Sequence, residues 1–202
     1  AAAFEAAIKD SSVILVVFDS WQFLSMDIHK FVKPYFVTSD QGKVGRKYVL
    51  LTRRGSGLDT LAELRSKDIV ELEAAGANLG RPWLETLLLA NHLGTHASFF
   101  GSVEKAGKPS TAVLSVFFGK KQACLVDESS YEIMKELNPQ VGRQLQVIAT
   151  SDPYANNLIC LTHSGWDSQD YKTAVIESLA VIHDEPAGQQ ILTLFKIGQL
   201  VP

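Results

Sequence analysis

Short apolar runs rich in β-branched residues alternate along this chain with segments of helical pattern. The run VILVVF at residues 13–18 has the length of a strand, and its continuous apolar character is typical of a strand buried on both faces. Asp19 and Ser20 follow it and can cap the next helix. Because alternating strands and helices pack as helical layers on a sheet, the sequence predicts an α/β fold.

The same patterns divide the rest of the chain into elements. They predict strands at residues 13–18, 35–38, 47–52, 69–74, 97–100, 122–126, 145–150 and 158–162. They predict helices at residues 1–9, 21–29, 59–64, 82–93, 110–118, 129–137, 167–183 and 186–195. Strand–helix units repeat between residues 69 and 150, which favours a parallel sheet there. In the last helix, the stripe of Ile191, Leu192, Leu194 and Phe195 predicts a face buried in the core.

Charge and composition exclude several classes of protein. With 19 Lys+Arg against 22 Asp+Glu, the net charge of -3 argues against a nucleic-acid partner. No apolar run approaches the roughly 18 residues of a membrane span, so none is expected. The two cysteines, Cys124 and Cys160, are too few for a disulfide scaffold and lack the spacing of a zinc site, and we expect them to be unpaired.

Two α/β lobes account for the distribution of the elements. Residues 1–42 and 155–202 are predicted to form lobe I, and residues 43–154 to form lobe II. Two crossover segments then join the lobes, near residues 39–57 and 150–157. Paired crossovers between two lobes leave a cleft, which is a common location for a small ligand.

Six stretches, spread over nearly the whole chain, carry a resemblance to a known family. They are DSSVILVVFDSWQF (10–23), YVLL (48–51), LDTLAELRSKDIVE (58–71), GKKQACLVDESSY (119–131), LQVIATSDPYANN (145–157) and SLAVIHDEPAGQQILTLFK (178–196). In order and spacing they resemble the type II periplasmic solute-binding proteins, in the phosphate, phosphite and phosphonate branch of ABC importers. The resemblance implies a two-lobe fold that closes on a small anionic solute, an ABC permease as partner and a periplasmic or extracytoplasmic location.

The chain departs from the resembled family in two places. The family begins with a strand–helix–strand unit, and this sequence starts after it, so lobe I is expected to be incomplete. An unpaired edge at residues 13–18 would then make a strand-paired homodimer plausible. The family also has a Ser-Thr-Ser-Gly loop at a helix start, whereas Ala77-Asn78-Leu79-Gly80-Arg81 stands here without those hydroxyls. This difference leaves another small acid open as the ligand.

Ten residues are predicted to bind the ligand, because each lies where a strand ends or a crossover begins. They are Asp19, Ser20, Trp21, Tyr48, Asn78, Gly80, Arg81, Asp127, Ser129 and Ser151. Less specific roles remain open for several of them: Arg81 in solvent, Ser129 as a helix cap only, and Trp21 in the core. The resemblance implies that an acid at Asp127 meets an amino group or a protonated phosphonate oxygen.

No catalytic, metal or cofactor motif emerges from the sequence. His92 and His96 are four residues apart, but Gly94 intervenes and the HExxH pattern of zinc proteases is absent. Neither a GxSxG elbow nor a phosphate-binding P-loop occurs. We therefore predict a binding protein rather than an enzyme. The alternatives are a ligand-sensing input domain of a signalling protein and, less favoured, an enzyme on the same fold.

Overall fold

The computed structural model describes residues 2–40, 42–73, 79–155, 157–195 and 197–202. The chain divides into two units: unit 1 comprises Ala1–Gly45 and Ala155–Pro202, and unit 2 comprises Arg46–Tyr154. Each unit contains one five-stranded sheet. No helix among the described residues is long and apolar enough to cross a membrane.

Unit 1 is built on an antiparallel sheet. Its elements are α1 (Ala2–Lys9), β1 (Leu15–Asp19), α2 (Ser20–Ser25), β2 (Val32–Asp40), β3 (Lys43–Val44), β9 (Asn157–Thr162), α8 (Gln169–Ala180), α9 (Pro186–Leu194) and β10 (Gln199–Val201). The strand order is β1-β9-β2-β10, and β3 pairs with β2. Burial alternates along β1, where Val16 and Phe18 face the core while Leu15 and Val17 are exposed. That alternation is typical of a sheet with one face covered, so the burial on both faces that was predicted for this strand is wrong.

Unit 2 contains a mixed sheet with helices on both faces. Its elements are β4 (Tyr48–Arg53), β5 (Asp68–Leu72), α3 (Gly80–Ala90), α4 (His96–Phe99), β6 (Ser102–Ala106), α5 (Pro109–Phe117), β7 (Ala123–Asp127), α6 (Glu128–Leu137), α7 (Pro139–Gln144) and β8 (Leu145–Thr150). The strand order is β6-β5-β7-β4-β8. The β5–β6 and β5–β7 pairs are parallel, whereas β4 pairs antiparallel with both β7 and β8.

The central strands of unit 2 are apolar on both sides because a separate apolar cluster covers each face. Leu50 and Leu125 belong to the first cluster, to which α3 contributes Trp83, Leu84 and Leu88. The second cluster contains side chains from the opposite face of the same strands and from three helices: Val49, Leu51, Val126, Ala112, Val113, Val116, Tyr131 and Val141. Double coverage explains why β4 and β7 are the most apolar runs of the unit.

Several predicted elements differ from the observed ones. Residues 97–100 were expected as a strand, but residues 97–99 lie in α4, whose start is capped by Thr95, and Phe100 follows the helix. The strand of this region is β6, which is exposed over four of its five residues and so lacks an apolar pattern. The parallel sheet predicted for 69–150 is only partly correct, because β8 pairs antiparallel with β4. Helix α2 ends at Ser25 rather than at residue 29, and β3, α7 and β10 were not predicted.

Two further predictions differ from the structure. Strand β2 (Val32–Asp40) is longer than the predicted 35–38. Its partner β10 pairs only with Val37, Thr38 and Ser39. Pro34, which has no N–H to donate, lies outside that pairing and next to a register shift with β9. The last helix, α9, buries Leu192 but leaves Leu194 and Phe195 exposed, so the predicted core stripe is wrong. Cys124 in β7 and Cys160 in β9 are both free, as expected.

Candidate functional site

Five of the predicted site residues lie together where the strands of the unit 2 sheet end, along the edge formed by strand ends rather than by an end strand. Strands β5 and β7 are parallel, so their carboxyl ends share this edge, and the helices that follow them, α3 and α6, begin there. Tyr48 starts β4 directly opposite Asp127, the last residue of β7. Ser151 follows the last residue of β8, which pairs with Val49. We call this group (Tyr48, Gly80, Asp127, Ser129 and Ser151) the unit 2 edge.

Asp127 is the most constrained member of the unit 2 edge. Its side chain is 4% exposed and caps α6. Oδ1 accepts from the Ser129 hydroxyl at 2.6 Å and from the Ser130 N–H at 2.9 Å, and Oδ2 accepts from the Ser130 hydroxyl at 2.7 Å. Burial by itself raises the pKa of Asp127, but these hydrogen bonds and the charge of Arg46 together bring its pKa below the usual value. Asp127 is therefore a carboxylate at neutral pH.

Tyr48 and Ser151 are joined by two hydrogen bonds. The backbone N–H of Tyr48 donates to the Ser151 hydroxyl, and the backbone N–H of Ser151 donates to the Tyr48 carbonyl, each at 2.9 Å. The Ser151 hydroxyl in turn donates to the carbonyl of Asp152 at 2.6 Å. The ring of Tyr48 lies near that of Tyr154, with centroids 6.5 Å apart. These contacts fix the start of β4 against the end of β8.

Gly80 begins α3 in close contact with Tyr48. A methyl group at this position would lie 2.9 Å from Cδ1 of Tyr48 and 3.4 Å from Cδ2 of Leu125. The absence of a side chain thus lets the helix start approach the ring. Arg81 is exposed in the first turn of α3. Asn78, also predicted to bind ligand, lies outside the described residues.

The other three predicted residues lie in unit 1, where β1 ends. Asp19 caps α2, accepting from the N–H of Gln22 at 2.8 Å, and the Gln22 side chain accepts from the Asp19 N–H in return. Ser20 is buried and its hydroxyl donates to the carbonyl of Ala155 at 2.5 Å. Trp21 is 44% exposed, so the alternative of core packing does not hold for it.

Some polar residues at or near the candidate site are not predicted by the sequence patterns. Ser130 donates to Asp127 through both its N–H and its hydroxyl, and the Asp-x-x-Ser spacing of a helix cap was the available signal. Glu71 and His96 form a buried pair whose only sequence signal was an acid in the middle of an apolar strand. Among the described residues, no group of three or more His, Cys, Asp or Glu side chains could hold a metal ion.

A cavity of about 440 Å³ lies in unit 1 beside α8 and α9. Its lining is mainly apolar and includes Val175, Leu179, Ile182 and Ile191. None of the ten predicted site residues lines it. Because it offers few polar groups, we do not regard it as a site for a small anion.

A comparison with known protein families finds one match. A sequence model of the family described as "ABC transporter, phosphonate, periplasmic substrate-binding protein" matches residues 1–202. No protein with a curated description matches the sequence significantly.

Solved structures of low sequence identity share the fold. XAC2383 from Xanthomonas citri, solved with ATP, has a TM-score of 0.74 at 14% identity, covering 100% of this chain and 76% of its own. PhnD1 from Prochlorococcus marinus, solved with methylphosphonate, has a TM-score of 0.60 at 14% identity, with coverages of 99% and 76%. A sulfonate transporter protein, SsuA from Methylobacillus flagellatus, has a TM-score of 0.59 at 14% identity, with coverages of 93% and 55%. These likenesses show the type II periplasmic-binding-protein fold.

Proposed function

The chain belongs to the family of periplasmic substrate-binding proteins of phosphonate ABC transporters, and from this premise we propose that it binds a phosphonate or a related small oxyanion and delivers it to an ABC permease. The family supports a solute-binding role, a permease partner and an extracytoplasmic location. The observation that carries the choice of ligand is the start of two helices, α3 and α6, at the unit 2 edge.

Helix starts suit an oxyanion for an electrostatic reason. The first backbone N–H groups of a helix point outward along its axis, and the helix dipole places partial positive charge there. Helix α3 has eleven residues and α6 has ten, long enough to develop this field. Arg81, in the first turn of α3, adds a guanidinium that can donate two parallel hydrogen bonds to one phosphonate group. We propose that the anion lies at these two helix starts.

The directions of the hydroxyl protons restrict the chemical class of the ligand further. Ser129 and Ser130 donate to Asp127, and Ser151 donates to a backbone carbonyl. A hydroxyl whose proton is engaged can offer a ligand only its oxygen, as an acceptor. We propose that this side of the ligand carries a donor, such as the proton of a singly ionised phosphonate or an amino group. A fully ionised phosphate lacks such a donor and would meet the carboxylate of Asp127.

Unit 1 is proposed to supply the second half of the site. Asp19 and Ser20 lie where β1 passes into α2, and Trp21 is exposed beside them. An exposed indole can cover the organic substituent of a phosphonate, and the cap residues can orient it. We propose that the two units close on the ligand by hinge motion at the two segments that connect them, near residues 45 and 155.

The first experiment is a thermal-shift screen followed by calorimetric titration. The panel contains methylphosphonate, an aminoalkylphosphonate, phosphite, phosphate, a sulfonate and a carboxylate. A ligand that binds only the native state raises the melting temperature by mass action. We expect shifts with the phosphonates and a smaller one with phosphate. A folded sample that shifts with none of the panel would contradict the proposal.

Arg81→Ala tests the placement of the anion. We expect it to raise the Kd for methylphosphonate at least tenfold, about 1.4 kcal/mol, without lowering the melting temperature of the free protein. Arg143→Ala is the matched control, because Arg143 is exposed in α7 just before β8, at the opposite end of the sheet. Equal affinities of both variants and the wild type for methylphosphonate would contradict the placement of the anion at the start of α3.

A homodimer is proposed through the edge of the unit 1 sheet. Strand β1 is the end strand of that sheet, and Val17 on it is 52% exposed. Among the described residues β1 pairs on one side only, with β9, and a strand edge left unpaired is a template for pairing with a second copy. Light scattering should give a dimer mass that Val17→Lys reduces to the monomer mass. A wild-type protein that has the monomer mass at all concentrations would contradict the proposed homodimer.

The alternative of a sensing domain shares the same ligand chemistry, so ligand binding cannot separate it from transport. Reconstitution with the cognate permease in proteoliposomes can. We expect the protein to stimulate ATP hydrolysis by the transporter only when ligand is present. Binding without any such stimulation would favour sensing. Turnover of the phosphonate during the same assay would instead indicate an enzyme.

A further inference from the structure

A buried hydrogen-bonded pair, one histidine and one glutamate, lies in unit 2, outside the ten predicted site residues. Nε2 of His96 is 2.5 Å from Oε1 of Glu71, and the two residues are 3% and 4% exposed. A carboxylate removed from water is strongly destabilised unless a proton-bearing partner compensates it. Such a pair is costly to bury in an apolar core unless both side chains keep their hydrogen bond.

His96 connects three elements of unit 2. Its ring reaches Glu71 in β5, while its backbone N–H donates to Oε2 of Glu85 in α3 at 2.7 Å. His96 is itself the first residue of α4, and its ring packs edge-on against Phe100 with centroids 5.1 Å apart. The second turn of α3 is therefore tied to the sheet through one histidine.

The position of α3 matters at the unit 2 edge because the helix start fits tightly. Glu71 pairs in register with Leu125 of β7. A methyl group at Gly80 would lie 3.4 Å from Cδ2 of that leucine and 2.9 Å from Cδ1 of Tyr48. The helix thus has a close contact at its first residue and a tether at Glu85. A shift of α3 over the sheet would move Gly80 and Arg81 together.

We propose that Glu71, His96 and Glu85 form a positioning triad that holds the start of α3 in its ligand-binding place. The inference rests on the proposed function, since Arg81 and the N–H groups of α3 are the proposed anion donors. When a binding element is held in place before the ligand arrives, less ordering is left to be done on binding, and affinity rises. Loosening the triad should therefore weaken binding without removing any group that touches the ligand.

Glu85→Ala and Glu85→Gln are the decisive variants. Glu85→Ala removes the acceptor of the His96 N–H and leaves the buried pair intact, whereas Glu85→Gln keeps an acceptor oxygen. We expect Glu85→Ala to raise the Kd for methylphosphonate at least fivefold and to speed amide hydrogen exchange in α3. Glu85→Gln should restore both values to within twofold of the wild type. Glu71→Leu should have a larger effect, and if it does not fold, the Glu85 variants decide.

Thr52→Val is the control for general destabilisation. Thr52 is buried near the carboxyl end of β4, where its hydroxyl donates to the carbonyl of Leu58 at 2.8 Å, and it has no bond to α3. It should lower the melting temperature while leaving the Kd unchanged. Glu85→Ala with wild-type affinity and wild-type exchange in α3 would overturn the triad. If the wild type binds no member of the ligand panel, the proposed function fails, and the rates of amide hydrogen exchange in α3 of the wild type and the Glu85 variants then test the triad by themselves.

Discussion

Asp127 illustrates how one side chain can serve structure and specificity together. Its two carboxylate oxygens accept three hydrogen bonds from Ser129 and Ser130, which both begins α6 and fixes where the serine protons point. A substitution here therefore changes the stability of unit 2 as well as the proposed site. Loss of affinity in an Asp127 variant alone would not separate the two effects.

The stability effect of Asp127 can be measured by its dependence on pH. Asp127→Asn removes charge-assisted hydrogen bonds, so we expect it to lower the free energy of unfolding by about 1–2 kcal/mol at pH 7. The pKa of Asp127 is lowered in the folded protein, so folding favours the ionised form. This contribution is present above the unfolded pKa, about 3.9, and is lost as the pH falls through the folded value. Urea denaturation at pH 7 and near pH 3 tests this.

An exposed aspartate provides the control for this measurement. Asp167 lies in solvent just before α8. Asp167→Asn should change the free energy of unfolding by less than about 0.5 kcal/mol, as is usual for surface substitutions. A deficit for Asp127→Asn that persists undiminished at low pH would show that the ionised carboxylate is not what stabilises α6.

Gly80→Ala tests the close approach of α3 to Tyr48. Alanine is favoured over glycine in helices by about 1 kcal/mol, but the added methyl would lie 2.9 Å from the buried ring. We expect the steric effect to prevail, with a net loss of about 1 kcal/mol in unfolding free energy. Gly107→Ala, where no atom lies within 4 Å of the added methyl, should cause no such steric loss. Equal stabilities of the two variants would show that α3 can yield at this contact.

At the level of elements, α9 corrects an expectation drawn from its composition. Four apolar residues near its end suggested a core face, yet Leu194 is 78% exposed and only Leu192 is buried. We therefore expect Leu192→Ala to lower the unfolding free energy by about 2–4 kcal/mol. Leu194→Ser should alter it by less than about 0.5 kcal/mol. Comparable losses of unfolding free energy from both substitutions, measured by urea denaturation, would show that Leu194 also packs in the core.

The elements that could be predicted are those with a local signal. Strands β4 and β7 are continuous apolar runs because both their faces are covered, and α6 begins after an aspartate cap. Strand β6 was missed because it is held by parallel pairing with β5, and its side chains are mostly exposed. Pairing between distant segments leaves no periodic pattern in the sequence, so the apolar pattern favours a strand at the neighbouring residues 97–100 instead.

The same limit applies to the residues of the candidate site, whose role in binding stays a prediction. Polar residues at or just after the ends of strands, such as Asp127 and Ser151, are selected by the rule that ligands bind at the ends of strands. The tether through His96 was not predictable, since Glu71, Glu85 and His96 meet only after α3 and α4 fold back onto β5. These residues are far apart along the chain, and their hydrogen bonds depend on tertiary structure that no local sequence pattern indicates.

At the scale of the whole molecule, the two units differ in how the chain builds them. Unit 2 is one continuous segment, and all five of its strands pair with one another. In unit 1, β9 comes from the second segment and lies between β1 and β2 of the first. The first segment therefore lacks the central strand of its own sheet until the rest of the chain has been made.

This connectivity predicts that residues 46–154 fold when expressed alone. Both apolar clusters of unit 2 lie within the segment, and its two ends are joined by hydrogen bonds between Arg46 and Tyr154 of 2.8 and 3.0 Å. We expect a cooperative urea transition with a slope of about 1–3 kcal/mol/M, and near-ultraviolet dichroism from the buried Trp83. A compact fragment without either signal would show that unit 2 depends on unit 1.

The same fragment tests whether both units contribute to binding. It retains the unit 2 edge and Arg81 but lacks Asp19, Ser20 and Trp21. If the ligand is held between two closing units, the isolated fragment should bind methylphosphonate at least a hundredfold more weakly than the whole chain, about 2.7 kcal/mol. Calorimetry on both proteins makes the comparison. A lobe that closes on the ligand adds binding free energy, so its removal must raise the Kd. An unchanged Kd would therefore show that the site lies within unit 2.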